Sequence, residues 1–254
     1  MLFRFSRVLC TALILTAFHE ELFSEEFSAR ENHSISQVKE IATKIIRQIE
    51  IPKGYHEGLL LSGGEIWVNN GEEGETWVID VSTGTKLRDI KPIGSFSEGI
   101  SWVSGNKYWV TDWREGALYL VHISADITIA EKEYRLGQMY PAGVVWTGQY
   151  IFVILWGRGP EGTYDILKMD GEGNIIRVDR LKEINEPSQL TWDGKNLWIT
   201  SWCDKKAYKL DPDTYEILGF FETPMNDATG IAWDGKSFWI TGTRSDLYQV
   251  ELVE

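Results

Sequence analysis

Cysteine is almost absent from this chain of 254 residues: Cys10 and Cys203 are the only two. That excludes a disulfide framework and a cysteine-built zinc site. Histidine is nearly as scarce. His19, His33, His56 and His122 are scattered without metal-ligand spacing, and no metal or other cofactor is expected. Basic residues are in short supply, 25 Lys and Arg against 38 Asp and Glu, for a net charge of −13. Such a surface repels phosphate and anionic lipid, which argues against nucleic acid as a partner. Long apolar runs are missing as well. The stretch Val8–Phe18 has 11 residues, too few for a bilayer span of roughly 18 or more. Arg4 and Arg7 precede it, so residues 1–18 read as an export signal. The expectation is a secreted or periplasmic protein with no membrane attachment after cleavage.

Tryptophan, by contrast, is abundant, with twelve residues, and most stand at fixed places in a repeat. The unit is a small or acidic residue, usually Gly, an apolar pair, usually Trp, a turn, and then an aromatic-centred strand. It reads EGLLLSGGEIWVN from Glu57, EGISWVSGNKYWVT from Glu98 and AGVVWTGQYIFVI from Ala142, then SQLTWDGKNLWIT from Ser188 and TGIAWDGKSFWIT from Thr229. The second residue of each copy falls at 58, 99, 143, 189 and 230, giving steps of 41, 44, 46 and 41 residues. Periods of this size mark units whose hydrophobic faces only their neighbours can cover.

Each full copy holds four strands. In the fourth these are expected at Gln189–Trp192, Leu197–Ser201, Ala207–Leu210 and Ile217–Glu222, with Asp193-Gly194 in the first turn and Pro212-Asp213 in the last. The fifth copy stops after its third strand, LYQVELV. Upstream, residues 19–42 read as a linker, in which Ser36 could cap a short helix running through Ile45. The competing reading makes TKIIRQIEI at Thr43–Ile51 a strand, ended by Pro52. The strand reading supplies what the fifth copy lacks and removes an exposed edge. The expectation is an all-β, five-bladed β-propeller of four-stranded blades over residues 43–254, closed by the N-terminal strand pairing with the last blade. Trp102, Trp146, Trp192 and Trp233 share one place in the inner strand. Trp67, Trp109, Trp198 and Trp239, with Phe152 in the third copy, share one in the next. Both sets are expected to pack between blades.

Function is sought where the copies differ. Two loop sets should converge on one face of the ring. Before the inner strands lie His56-Glu57, Ser97-Glu98, Pro141-Ala142, Pro187-Ser188 and Ala228-Thr229. After the second strands lie Asn69-Asn70, Asp112-Trp113, Leu155-Trp156, Ser201-Trp202 and Gly242-Thr243. Glu57 and Glu98, in adjacent blades, and the extra Trp113, Trp156 and Trp202 outline an acidic cup with an aromatic wall. A carboxyl pressed against Trp would have its pKa raised and suit a proton shuttle. The alternative is that both glutamates accept backbone hydrogen bonds along a water-filled channel and that the tryptophans are loop packing. Nothing else carries chemistry. DPDT from Asp211 and DGEGN from Asp170 match calcium loops only superficially. The DG pairs fit hairpin turns, no Ser lies in a nucleophile motif, and Gly71–Gly74 has no helix behind it to hold phosphate.

The segment FSEGI…GNKYWVTDWREGALYLV, Phe96 to Val121, is similar to the F-G-E-G-[IL] and T-W-K-E-G motifs of the plant- and bacterial-type glutaminyl cyclase (glutamine cyclotransferase) family. YHEGLLLSGGEIW at Tyr55 resembles its F-T-Q-G-L, with Glu57 in place of Gln, and TGIAWDGKSFWITGT resembles its N-G-I-A and T-G-K. The resemblance implies a five-bladed propeller that converts N-terminal glutamine to pyroglutamate with release of ammonia. It also implies Glu98 as the proton-handling residue and Trp113 and Trp202 as walls. Glu57, Trp156, Asp112 and Thr243 complete the expected substrate-binding set. The chain departs from the pattern at Pro187, where the family places Asn, at Thr243, where it places Lys, and at Ala142, where an aromatic is expected. Two readings follow. One is an exported cyclotransferase-like enzyme. The other is a non-catalytic propeller binding a peptide or small amine-bearing ligand in the same cup. In either case a monomer is expected.

Overall fold

Period and strand count together require a ring, and the computed structural model shows one. It describes residues 38–125, 127–157 and 162–253; the expected export signal and the first part of the linker lie outside them. Blade one is β2 (His56–Ser62), β3 (Glu65–Asn70), β4 (Thr76–Asp80) and β5 (Lys86–Ile90). Blade two is β6 (Ser97–Ser104), β7 (Lys107–Asp112), β8 (Ala117–Ser124) and β9 (Ile127–Arg135). Blade three is β10 (Met139–Trp146), β11 (Tyr150–Gly157), β12 (Tyr164–Asp170) and β13 (Ile175–Arg180). Blade four is β14 (Pro187–Trp192), β15 (Leu197–Ser201), β16 (Lys206–Leu210) and β17 (Ile217–Glu222). Blade five has only β18 (Ala228–Trp233), β19 (Phe238–Gly242) and β20 (Leu247–Leu252) in sequence order. Its fourth strand is β1 (Thr43–Ile49), antiparallel to β20 from Thr43 opposite Leu252 to Ile49 opposite Leu247. The fold is therefore a five-bladed β-propeller closed by its N-terminal strand. Residues just before β1 also join the ring. Glu40 bridges Phe220, and Ile41 N–H donates to Phe220 O at 2.7 Å, so this part of the linker covers the edge of blade four.

The second-strand aromatics lock the blades together. Trp67, Trp109, Phe152, Trp198 and Trp239 are all buried, at 5% exposure or less. Each belongs to a different hydrophobic cluster shared by two neighbouring blades. Trp67 packs with Ile100 and Tyr119 of blade two, Trp109 with Val144 and Leu167 of blade three, and Phe152 with Leu190 and Ile199 of blade four. Trp198 joins Ile231 and Phe238 of blade five, and Trp239 joins Leu59 and Ile66 of blade one. The inner-strand set behaves differently. Trp146, Trp192 and Trp233 pack against these clusters, but Trp102 is 49% exposed and donates its indole N–H to Gly105 O at 3.0 Å. Expected as inter-blade packing, Trp102 instead lies against its own turn. β6 there pairs irregularly between Trp102 and Ser104, and a bulge re-aims side chains.

The Asp-Gly turns do more than reverse the chain. Asp193 Oδ1 accepts the N–H groups of Lys195 (2.8 Å) and Asn196 (2.6 Å), while Oδ2 accepts the Trp198 indole N–H at 2.7 Å. Asp234 repeats this with Lys236, Ser237 and Trp239. Gly194 and Gly235 take φ of 95° and 98°, a region open to glycine. The turn thus fixes the rotamer of the aromatic that binds the next blade. Burial pushes the Asp193 carboxyl up, but these hydrogen bonds outweigh it and hold it below the ordinary range.

Trp198→Ala should cost about 3–5 kcal/mol, as for a fully buried aromatic. Trp102→Ala should cost about 1 kcal/mol or less, as for a half-exposed side chain. Urea unfolding of the two variants checks this, and equal losses would contradict the packing described.

Candidate active site

Each inner strand starts with a bulge, and the bulge builds the site. On β2 the pairing with β3 slips between His56 and Leu59, so Glu57 and Gly58 together oppose Asn69. On β6 it slips between Ser97 and Ile100, leaving Glu98 and Gly99 opposite Thr111. β10, β14 and β18 slip at the same place. Bulged residues turn out of the regular pleat, and here they form a ring of Glu57, Glu98, Ala142, Ser188 and Thr229. Ser188 Oγ donates to Thr229 O at 3.1 Å, and Thr229 Oγ1 donates to His56 O at 2.7 Å. Asn69 Nδ2 donates to Glu98 O at 3.2 Å, tying blade one to blade two.

The two carboxyl groups of this ring hydrogen-bond to each other. Both residues are buried, Glu57 at 4% and Glu98 at 8% exposure. Burial, and then the charge of Glu98, pushes Glu57 well above the ordinary carboxyl range. Burial, together with the charge of Asp112, pushes Glu98 up to about 8 against the lowering effect of its hydrogen bond from Glu57. Two like charges at contact cannot both persist in such a setting, so the pair keeps a proton at neutral pH. The channel alternative had both glutamates accepting backbone N–H groups; the bond between the two side chains is the better account of this geometry.

The flanking aromatics recur at a fixed offset. Tyr55, Phe96 and Tyr140 each stand two residues before the bulge position of blades one to three. Tyr55 meets Phe96 edge-on, with ring centroids 6.0 Å apart. Burial, followed by the charges of Glu57 and Glu98, raises the Tyr55 phenol, which places it within the field of the pair. Trp113 stacks on Tyr140 at 4.8 Å and meets Trp156 edge-on at 5.2 Å, and Trp156 meets Tyr164 at 4.9 Å. Trp113 and Trp156 are thus brought together in one aromatic row. Trp202 is not part of it: its side chain is 41% exposed and makes no ring contact among the described residues. Tyr55, Phe96 and Tyr140 were missed as site residues, although their shared offset is visible in the sequence.

The remaining expected residues divide. Asp112 is buried and gives both oxygens to backbone: Oδ2 accepts from Ser95 (2.6 Å) and Phe96 (2.8 Å), and Oδ1 from Glu115 (2.7 Å). It positions the segment leading to Glu98 rather than facing a ligand. Thr243 Oγ1 is buried without a hydrogen-bond partner among the described residues. The neighbouring Arg244, in the left-handed region at φ 57°, points its guanidinium at Glu72, 3.5 Å away. Pro187 O accepts the Trp156 indole N–H at 2.7 Å. His56 is fully buried, with Nε2 2.8 Å from Pro52 O, and burial lowers its pKa. It is a neutral structural ring beside Trp77, not a relay for Glu57. Among the described residues no three His, Cys, Asp or Glu side chains are grouped to hold a metal ion.

No family model and no curated protein matches this chain. Solved structures do. The glutaminyl cyclase of Myxococcus xanthus aligns over 86% of this chain and 100% of its own, at 15% identity and a TM-score of 0.69. The β-propeller domain of Cps50 (Swd1) from Myceliophteria thermophila aligns over 84% and 100%, at 9% identity and a TM-score of 0.50. Virginiamycin B lyase from Staphylococcus aureus aligns over 81% and 69%, at 18% identity and a TM-score of 0.45. At these identities the likeness is one of fold, with a bacterial glutaminyl cyclase sharing the propeller over its whole length.

The raised pair sets a pH dependence. A carboxyl with a higher pKa folded than unfolded stabilises the fold fully below the unfolded value, near 4.5, and loses that contribution as pH rises to about 8. Glu98→Gln keeps a hydrogen-bonding side chain but removes the titration. Its thermal midpoint should therefore gain on wild type steadily between pH 5 and pH 8. Parallel curves across that range would rule out the shared proton.

Proposed function

We propose that the carboxyl pair and its aromatic row form a cup for a peptide amino terminus, and that the chain acts as a glutaminyl-peptide cyclotransferase. The hydrogen-bonded Glu57–Glu98 pair carries this reading. In the reaction the α-nitrogen bonds to the side-chain amide carbon, and the bond from that carbon to the amide nitrogen breaks. Glu98 takes a proton from the attacking nitrogen and returns it to the departing one, so ammonia leaves and the carboxylate is restored. A group titrating near 8 suits both halves of that transfer. The fold shared with the Myxococcus xanthus enzyme and the resemblance of Phe96–Val121 support the reading. The acidic balance of the chain favours a substrate carrying a free amine. Export to the periplasm or the exterior, and action as a monomer, belong to the same proposal.

A second reading is favoured by the polar groups around the cup. Pro187 and Thr243 stand where the resemblance implies Asn and Lys, Trp156 Nε1 is engaged by Pro187 O, and Arg244 faces Glu72. On this reading the cup binds an amine-bearing ligand and releases it unchanged, because losing an oxyanion donor can cost about a hundred- to a thousandfold in rate.

Ammonia release from a peptide beginning with Gln separates the two. The enzyme reading expects turnover that rises with pH towards 8 and falls at least about a hundredfold in Glu98→Gln. Wild-type release no faster than the uncatalysed reaction would sink it. Calorimetric binding of the same peptide, weakened by Trp113→Ala, would then mark a binding propeller.

A further inference from the structure

After the bulge position, four inner strands carry glycine, at 58, 99, 143 and 230; blade four carries Gln189. The glycines stand where strands converge. A Cβ on Gly58 would lie 2.5 Å from Glu98 O and 2.6 Å from Gln189 Nε2, and one on Gly143 would lie 2.3 Å from Gln189 Oε1. One side chain therefore fills space bordered by blades one, three and four. Blades one and four are not ring neighbours, so Gln189 reaches across the central axis. It lies one residue further along the inner strands than the carboxyl pair, and it is 2% exposed.

The orientation of its carboxamide is fixed chemically. Blade three has Ile154 where the other second strands have Asn69, Thr111, Thr200 and Thr241, so the start of β10 lacks a polar partner from its own blade. Gln189 Oε1 supplies an acceptor one residue further along, taking Val144 N–H at 3.1 Å as well as Leu190 N–H at 3.0 Å. Only the oxygen can accept from two N–H donors. Nε2 is consequently the end facing Gly58, next to Glu57, and it has no hydrogen-bond partner among the described residues. A donor without a protein partner is open to a ligand that completes its hydrogen bonding.

We propose that Gln189 is the floor of the cup: it closes the axial channel beside the Glu57–Glu98 pair and offers its amide N–H to a carbonyl or amide oxygen of the ligand. The ligand class is a small molecule or chain terminus carrying an uncharged amide. This deepens the reading of the cup as a site for terminal glutamine, whose side-chain oxygen would gain negative charge as the ring closes, and makes Gln189 a specificity-determining donor.

The donor is tested with pyrrolidin-2-one, a five-membered lactam with one amide oxygen, titrated into the full chain. Binding should shift the Gln189 side-chain ¹⁵N resonance in the wild type and weaken about tenfold in Gln189→Met, which keeps bulk but has no donor. No binding, or binding unmoved by the substitution with Gln189 resonances unchanged, overturns the donor role. The floor is tested by ¹³C titration of the glutamates in Gln189→Gly, which restores the residue of the other blades. Water entering the channel should lower the titration of the pair, with Tyr55 and Asp112 the other ionisable groups in its field, while Gln189→Met leaves it raised. An unchanged titration in Gln189→Gly overturns the floor. Lactam binding that depends on Gln189, without ammonia release from Gln peptides, would remove the cyclase reading and leave this one standing.

Discussion

A four-stranded antiparallel sheet cannot cover its own apolar face, and among the described residues its main cover is the next sheet. One large aromatic from each second strand crosses to the neighbour, and five such contacts make a closed circuit. The circuit is cooperative in a way an open stack is not, because each blade is held from both sides. It also explains the pairing of β1 with β20: the last sheet needs four strands to present a full face to blade one. Asp193 and Asp234 serve the same end by fixing the indoles of Trp198 and Trp239 from the turns that precede them.

The site depends on that circuit. Closing the ring brings the five inner strands together, and the approach is close enough that glycine is required after the bulge in blades one, two, three and five. The same convergence forces the bulged residues into one small ring. Where they are Ser or Thr, hydroxyls bond neighbouring carbonyls. Where they are Glu, in blades one and two, two carboxyls meet away from water and must share a proton. Asp112 adds a negative charge behind Glu98 while its oxygens hold the preceding loop in place. The chemistry of the pair is thus a consequence of ring closure as much as of residue identity.

Much of this was readable from the residues. The period, the missing last strand, the Asp-Gly turns and the buried second-strand aromatics follow from local patterns repeated five times. The pairing of Glu57 with Glu98 could be anticipated because both occupy the same repeat position in adjacent blades. Trp102 could not, since its exposure comes from a register shift that no composition encodes. Trp202 shares its offset with Trp113 and Trp156 yet stays outside the aromatic row: Trp113 stacks on Tyr140 of the following blade, and the position that matches Tyr140 in blade five is Asp227. Gln189 was visible as a departure from glycine. Its reach across the axis, and its acceptance of the Val144 N–H of blade three, needed three dimensions.

The most direct test is infrared titration of the wild-type carboxyl groups against a Glu57→Gln, Glu98→Gln double variant. The difference spectrum should contain a protonated-carboxyl carbonyl band at pH 6, well above the ordinary carboxyl range, that weakens as pH passes about 8, where Glu98 ionises. A difference spectrum showing both groups fully ionised at pH 6 would contradict the shared proton and, with it, the site described.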